Sequence, residues 1–110
     1  MTPPNDRRAT PRFQAKQGSQ IIYGASVAIV RDLSLEGVFV SDADPLPVGS
    51  ELAFTLHAGG QDITLDGIVR HVEDRQGMGI QFVNVSAVSK RRLRIYIASL
   101  VPAPSEFVTS

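Results

Sequence analysis

Apolar residues recur at every second position through most of this chain. Leu52, Phe54 and Leu56 alternate with Ala53, Thr55 and His57, which predicts a half-buried strand with His57 on its outer face. Ile21 and Tyr23, then Val27 and Ile29, keep the same rhythm, and an apolar run from Val38 to Val40 continues it. Residues 63 to 72 predict a longer strand, with Gly67 marking a bend or bulge inside it. Met78, Ile80 and Phe82 point inward on a last strand. Turn-forming residues separate these runs: Pro45, Pro47 and Gly49, then Gly59 and Gly60 in a hairpin loop, then Asp74 to Gly77. After them the spacing becomes helical. Leu93, Tyr96, Ile97 and Leu100 fall on one face, Ser86 or Ser89 is placed to cap the helix, and Pro102 ends it. The opposite face carries Lys90, Arg91 and Arg94, most simply a solvated surface. Six short strands without long crossovers, followed by one amphipathic helix, predict a mainly β chain. Its form is a small antiparallel barrel plugged or flanked by that helix.

A chain of 110 residues supports one core. With 43% apolar and 20% charged residues it has the balance of a globular domain rather than a disordered one. There is no cysteine, so disulfides and thiolate metal sites are excluded. No apolar run approaches membrane-spanning length, and the first residues lack the apolar core of a secretion signal, so a cytoplasmic protein is expected. Eleven basic and eleven acidic residues cancel, which argues against a general polyanion binder. Their distribution is uneven. Arg7, Arg8, Arg12 and Lys16 crowd the start, whereas nine of the acids lie from Asp32 to Asp74.

Two clusters carry candidate chemistry. Residues 1–12 hold few apolar groups and read as a mobile arm, with residues 13–100 as the domain and 101–110 as a tail. Pro11 disfavours helical angles at Thr10, so Arg8 and Arg12 sit on extended chain, roughly 13 Å apart, placed to grip two parts of one ligand. The second cluster is the corner Asp32-Leu33-Ser34-Leu35-Glu36-Gly37 between two strands. Asp32 and Ser34 have side chains that bond nearby backbone or project as a polar site, and Gly37 supplies backbone angles closed to other residues.

Other chemistries find little support. His57 and His71 lie on different strands with no spacing that converges on a metal, and nucleophile-elbow, phosphate-loop and dinucleotide-fold patterns are absent, so no catalytic residue is assigned. Aromatics at 6% are too few for a nucleic-acid stacking groove, with Phe54 and Phe82 committed to the core. Arginine donates to phosphates and to guanine O6 and N7, and Asp32 accepts from guanine N1 and N2. Arm and corner together describe a guanine-nucleotide binding site. Each charge-assisted bond is worth about 1.5–3 kcal/mol, whereas ordering six arm residues costs roughly 6–12 kcal/mol. Several bonds plus stacking are needed before the arm docks, which is the logic of a sensor.

Arg8-Ala9-Thr10-Pro11-Arg12 and Asp32-Leu33-Ser34-Leu35-Glu36-Gly37 together resemble the two signatures of the PilZ domain, R-x-x-x-R and [D/N]-x-S-x-x-G, in that order and at about the usual interval. The turn at residues 45–49, the glycine in the long strand, Gly77-Met78-Gly79-Ile80-Gln81-Phe82 and the final helix fit the same family, so the resemblance covers roughly residues 6–100. PilZ domains are bacterial receptor modules for the second messenger cyclic di-GMP. The resemblance implies a six-stranded antiparallel barrel with a C-terminal helix, no cofactor and no enzymatic activity. It also implies ligand contacts from Arg8, Arg12, Asp32 and Ser34, with Gly37 keeping the corner open. Arg7 is a candidate for an added stacking contact, and His71 stands where some members set an aromatic ring against the base. Implied partners are cyclic di-GMP and a downstream protein, with the receptor a monomer or homodimer. The alternative is a PilZ-like adaptor for protein contact that binds nucleotide weakly or not at all.

Overall fold

The computed structural model describes residues 11–100. Seven strands precede one helix: β1 (Phe13–Gln14), β2 (Gln20–Tyr23), β3 (Ser26–Leu33), β4 (Gly37–Ser41), β5 (Glu51–Ala58), β6 (Gln61–Glu73), β7 (Gly77–Val83) and α1 (Ala87–Ala98). All pairings are antiparallel, in the order β1-β3-β2-β5-β6-β7-β4, and β3 also pairs with β4. That last ladder closes β2 to β7 into a six-stranded barrel, with β1 as a short addition against the end of β3. The architecture is the one the alternating pattern predicted. Strand closure removes the exposed edges a small sheet would otherwise present.

Inward positions follow the two-residue period. Phe54, Leu56 and Ala58 on β5 and Ile63, Leu65 and Val69 on β6 are buried against Met78, Ile80 and Phe82 on β7. Leu93, Tyr96 and Ile97 of α1 join the same core and close it. Ser86 is the helix cap, its Oγ accepting the Ser89 N–H at 3.1 Å. The Ser89 hydroxyl donates to the Thr64 carbonyl at 2.7 Å, tying the first turn of α1 to β6. The helix ends at Ala98, and Pro102 lies outside the described residues.

Two interruptions of the ladder position the surface of interest. In β3, Ala28 and Val30 face the core, so strict alternation would turn Asp32 inward as well. The register instead shifts between Val30 and Asp32. Arg31 is the extra residue, Leu33 takes the next core position, and Asp32 faces out. In β6 the register shifts between Val69 and His71, with Arg70 as the extra residue, so Val72 turns to the core and His71 faces out. The irregularity expected at Gly67 therefore falls three residues later. Gly67 itself is regularly paired on both sides, and a side chain there would place a Cβ 2.4 Å from Ile80 Cγ2.

Candidate functional site

Arg12 and Asp32, twenty residues apart in sequence, meet on the outside of the barrel. Arg12 Nε donates to Asp32 Oδ1 at 2.6 Å, Nη2 lies 2.6 Å from the same oxygen, and Nη2 also donates to the Asp32 carbonyl at 3.3 Å. Strand β1 makes this meeting possible, because Phe13 pairs with Leu33 and Gln14 with Asp32. Arg12 thus enters directly beside the carboxylate. Both side chains keep partial solvent contact, 31% and 24% exposed.

The corner beyond Asp32 is held from within. Ser34 Oγ accepts the Glu36 N–H at 3.0 Å, and the Ser34 N–H donates to the Gly37 carbonyl at 2.8 Å. Ser34 is only 2% exposed, so it does not project as a surface group in the way the sequence suggested. Gly37 serves a different need from the one expected of it. Its backbone is not in the left-handed region; a Cβ there would sit 2.5 Å from the Ile80 carbonyl of β7. The residue is glycine because β4 must approach β7 closely where the corner begins.

The register carries a line of residues across four strands. Asp32 on β3 is opposite Phe39 on β4, Phe39 is opposite Gly79 on β7, and Gly79 is opposite His71 on β6. Phe39 stands on the outer face between Val38 and Val40, which point inward. Yet it is 8% exposed, because its neighbours cover it. The Arg31 guanidinium lies 4.2 Å over its ring, and the His71 ring lies 6.3 Å away, tilted by 46°. Glu73 links the two, with Oε1 3.6 Å from Arg31 Nη1 and Oε2 3.5 Å from His71 Nε2. Beside the Arg12–Asp32 pair there is therefore a covered aromatic surface with a cation on top.

Of the residues expected from sequence, the structure brings Arg12 to Asp32, sets Ser34 and Gly37 beneath them, and leaves His71 across Phe39. Arg7 and Arg8 lie outside the described residues. Arg31, Phe39 and Glu73 were missed. Alternation contains a signal for Phe39, since Val38 and Val40 cannot both face inward with it, but the unbroken apolar run hides that signal. His57 is engaged elsewhere, 2.6 Å from Asp62 Oδ1. Among the described residues no group of three or more histidines and carboxylates is arranged to hold a metal ion. No described helix is long and apolar enough to cross a membrane.

Comparison with known proteins bears on this arrangement. The family model of the PilZ domain matches residues 6–99. No curated protein matches the chain. Among solved structures the chain is similar to the PilZ domain with c-di-GMP of YcgR from Escherichia coli, at 24% identity and a TM-score of 0.72, over 86% of this chain and 91% of that one. It is similar to the inhibitor of motility MotI/DgrA of Bacillus subtilis at 20% identity and a TM-score of 0.69, over 87% of this chain and 54% of that one. The PilZ domain of CeSA from a cellulose-synthesizing bacterium is also similar, at 14% identity and a TM-score of 0.50, over 82% of this chain and 92% of that one. At such identities these structural likenesses speak for the fold.

Proposed function

Because the chain belongs to the PilZ domain family, whose members are receptor and adaptor modules rather than enzymes, we propose that it is a receptor for cyclic di-GMP. The ligand binds where the arginine-bearing leader, residues 1–12, meets the corner of the barrel, and a downstream protein reads the result. The observation that carries this reading is the contact between Arg12 and Asp32, one residue from each family signature, side by side on the barrel surface.

Their chemistry suits a guanine base and a phosphate. Both short arginine contacts to the carboxylate fall on Asp32 Oδ1, and no hydrogen bond between the two residues uses Oδ2 or Arg12 Nη1. An acceptor beside a donor matches guanine N1–H beside O6. Full displacement of Arg12 is no obstacle either. A partly exposed ion pair is worth about 0–1 kcal/mol, and each charge-assisted bond to phosphate is worth about 1.5–3 kcal/mol. Ser34 contributes by holding the corner, Gly37 by letting it sit against β7, and Arg7 and Arg8 by adding cations to a dianionic ligand. His71, outward beside Phe39, supplies a ring edge at the far side of the site.

Calorimetric titration of the whole chain with cyclic di-GMP tests this. Saturable binding that GTP competes for poorly, and that is lost in Arg12→Ala and Asp32→Ala, is the expected result. Normal binding in both variants overturns the site. A second reading rests on the same contact. Arg12 and Asp32 already satisfy one another without ligand, which is compatible with an adaptor whose role is protein contact. No heat on titration selects it.

A further inference from the structure

Helix α1 carries Lys90, Arg91, Arg92 and Arg94 within its twelve residues and no carboxylate at all. None of these cations has an acidic neighbour three or four residues away on the helix to pair with. Arg92 is used in packing, donating from Nη1 to the Asp62 carbonyl at 3.0 Å. The rest lie on the side away from the barrel. Two aliphatic side chains share that side, Val88 at 59% and Ile95 at 58% exposure. They are seven positions apart, about 10.5 Å along the axis, and Arg91 falls on the same stripe between them. Val27, Ile29 and Val48 are as bare elsewhere, so what sets this face apart is that the aliphatic pair brackets a cation on a helix without acids.

We propose that this outer face of α1 docks an acidic segment of a protein partner, one with apolar side chains two helical turns apart, and that Tyr96 couples the face to the leader. Charge selects the partner: Lys90, Arg91 and Arg94, on a helix with no acid, call for a carboxylate-rich counterpart. A lipid surface fits poorly. The broad apolar side of the helix, with Leu93 and Ile97, is buried in the barrel, and only two separate aliphatic groups remain to insert. A second copy fits poorly too. It would have to offer a different, acidic face, and such a head-to-tail contact builds a ring or a filament in place of the two-fold dimer commonest among oligomers.

Tyr96 supplies the coupling. Its hydroxyl accepts the Lys16 N–H at 3.1 Å and shares a hydrogen bond with Ser19 Oγ at 2.7 Å. Lys16 is four residues beyond Arg12, with β1 between them, so the chain just past the leader rests on the helix through one phenol. Movement of Arg12 toward a nucleotide is transmitted there. This coupling rests on the nucleotide reading; the docking face does not.

The test titrates the isotope-labelled whole chain with a synthetic helical peptide bearing leucines seven positions apart flanked by glutamates. A scrambled peptide of equal composition, a lysine-for-glutamate peptide and phosphatidylglycerol vesicles serve as comparisons. Amide shifts confined to the neighbourhood of Val88, Arg91 and Ile95, with affinity about tenfold lower in Arg91→Glu and in Ile95→Ser, support the face. Equal binding of the scrambled peptide, an unaffected Arg91→Glu, or binding only to vesicles overturns it. Cyclic di-GMP should change the peptide affinity in the native chain and not in Tyr96→Phe. Nucleotide that binds by calorimetry yet leaves peptide affinity unchanged overturns the coupling. Absence of nucleotide heat overturns the receptor reading and the coupling with it, and the peptide comparison alone then decides the docking face.

Discussion

Asp32 and Phe39 are direct partners across the β3–β4 ladder, and they meet outside the barrel because Arg31 is bulged from β3. With Arg31 in the chain, the bulge and not the arginine side chain preserves this relationship. Deleting Arg31 removes the extra residue but leaves Val30, Asp32 and Leu33 alternating in, out and in, so Asp32 stays opposite Phe39. Arg31→Ala keeps the bulge and loses only the stack on Phe39 and the long contact to Glu73, together about 1 kcal/mol. Urea denaturation should therefore show small losses for both the deletion and the alanine, with the Arg12–Asp32 pair kept outside the barrel in each. A loss of several kcal/mol in the deletion alone would show that the flanking residues do not keep their faces when the extra residue is removed.

The Arg12–Asp32 pair should matter far more for binding than for stability. With both side chains partly exposed, Asp32→Ala is expected to lower unfolding free energy by no more than about 1 kcal/mol. Losing one or two charge-assisted contacts to the ligand weakens binding of cyclic di-GMP by tenfold or more. Arg12→Lys separates shape from charge, since an ammonium cannot reproduce the fork. Its affinity should fall close to that of Arg12→Ala. Retained affinity in the lysine variant would show that charge alone suffices.

The barrel and its helix were legible because they depend on a period repeated along many residues. Leu52, Phe54 and Leu56, or Leu93, Tyr96 and Ile97, declare their faces whatever lies around them. The surface around Asp32 was less legible because it depends on single-residue slips. Nothing in the local composition of Val30-Arg31-Asp32 or Val69-Arg70-His71 states that the ladder skips there, and each skip leaves two consecutive polar residues on the outside. Gly37 was read as permissive backbone and Gly67 as a bend or bulge, whereas the reason for both is the approach of β7, a contact between distant parts of the chain. Phe39 was hidden by lying between two valines.

Gly37 and Ser34 should fail in distinguishable ways. In Gly37→Ala the new methyl meets the Ile80 carbonyl at 2.5 Å, so β4 or β7 must shift, with a cost of about 1–3 kcal/mol. Ser34→Ala leaves the Glu36 N–H without its acceptor and opens no clash, a loss of about 1–2 kcal/mol. The first variant should displace amide signals on β7 as well as the corner. The second should disturb the corner alone. Binding should weaken in both, through displacement of Asp32 and not through a lost contact. Undisturbed β7 signals in Gly37→Ala would show that the ladder absorbs the methyl without moving.

Alkaline pH offers a check on the side of the barrel remote from these variants. The Tyr23 hydroxyl donates to Asp42 Oδ2 at 2.5 Å. Burial first, then that hydrogen bond and the charges of Asp42 and Asp44, push the phenol up to about 12 from its usual 10.0. The folded chain thus holds this proton more tightly than the unfolded chain does. The resulting stability is whole below pH 10 and is lost as pH rises through about 12. Tyr23→Phe, lacking the proton, should be less stable than the native chain at about pH 9, and the gap should narrow steadily over the next three units. Urea midpoints across that range measure it. Phenolate absorbance of a Tyr96→Phe variant reports Tyr23 alone, since the chain has two tyrosines. A midpoint near that of free tyrosine would show that the bond to Asp42 is not held in solution.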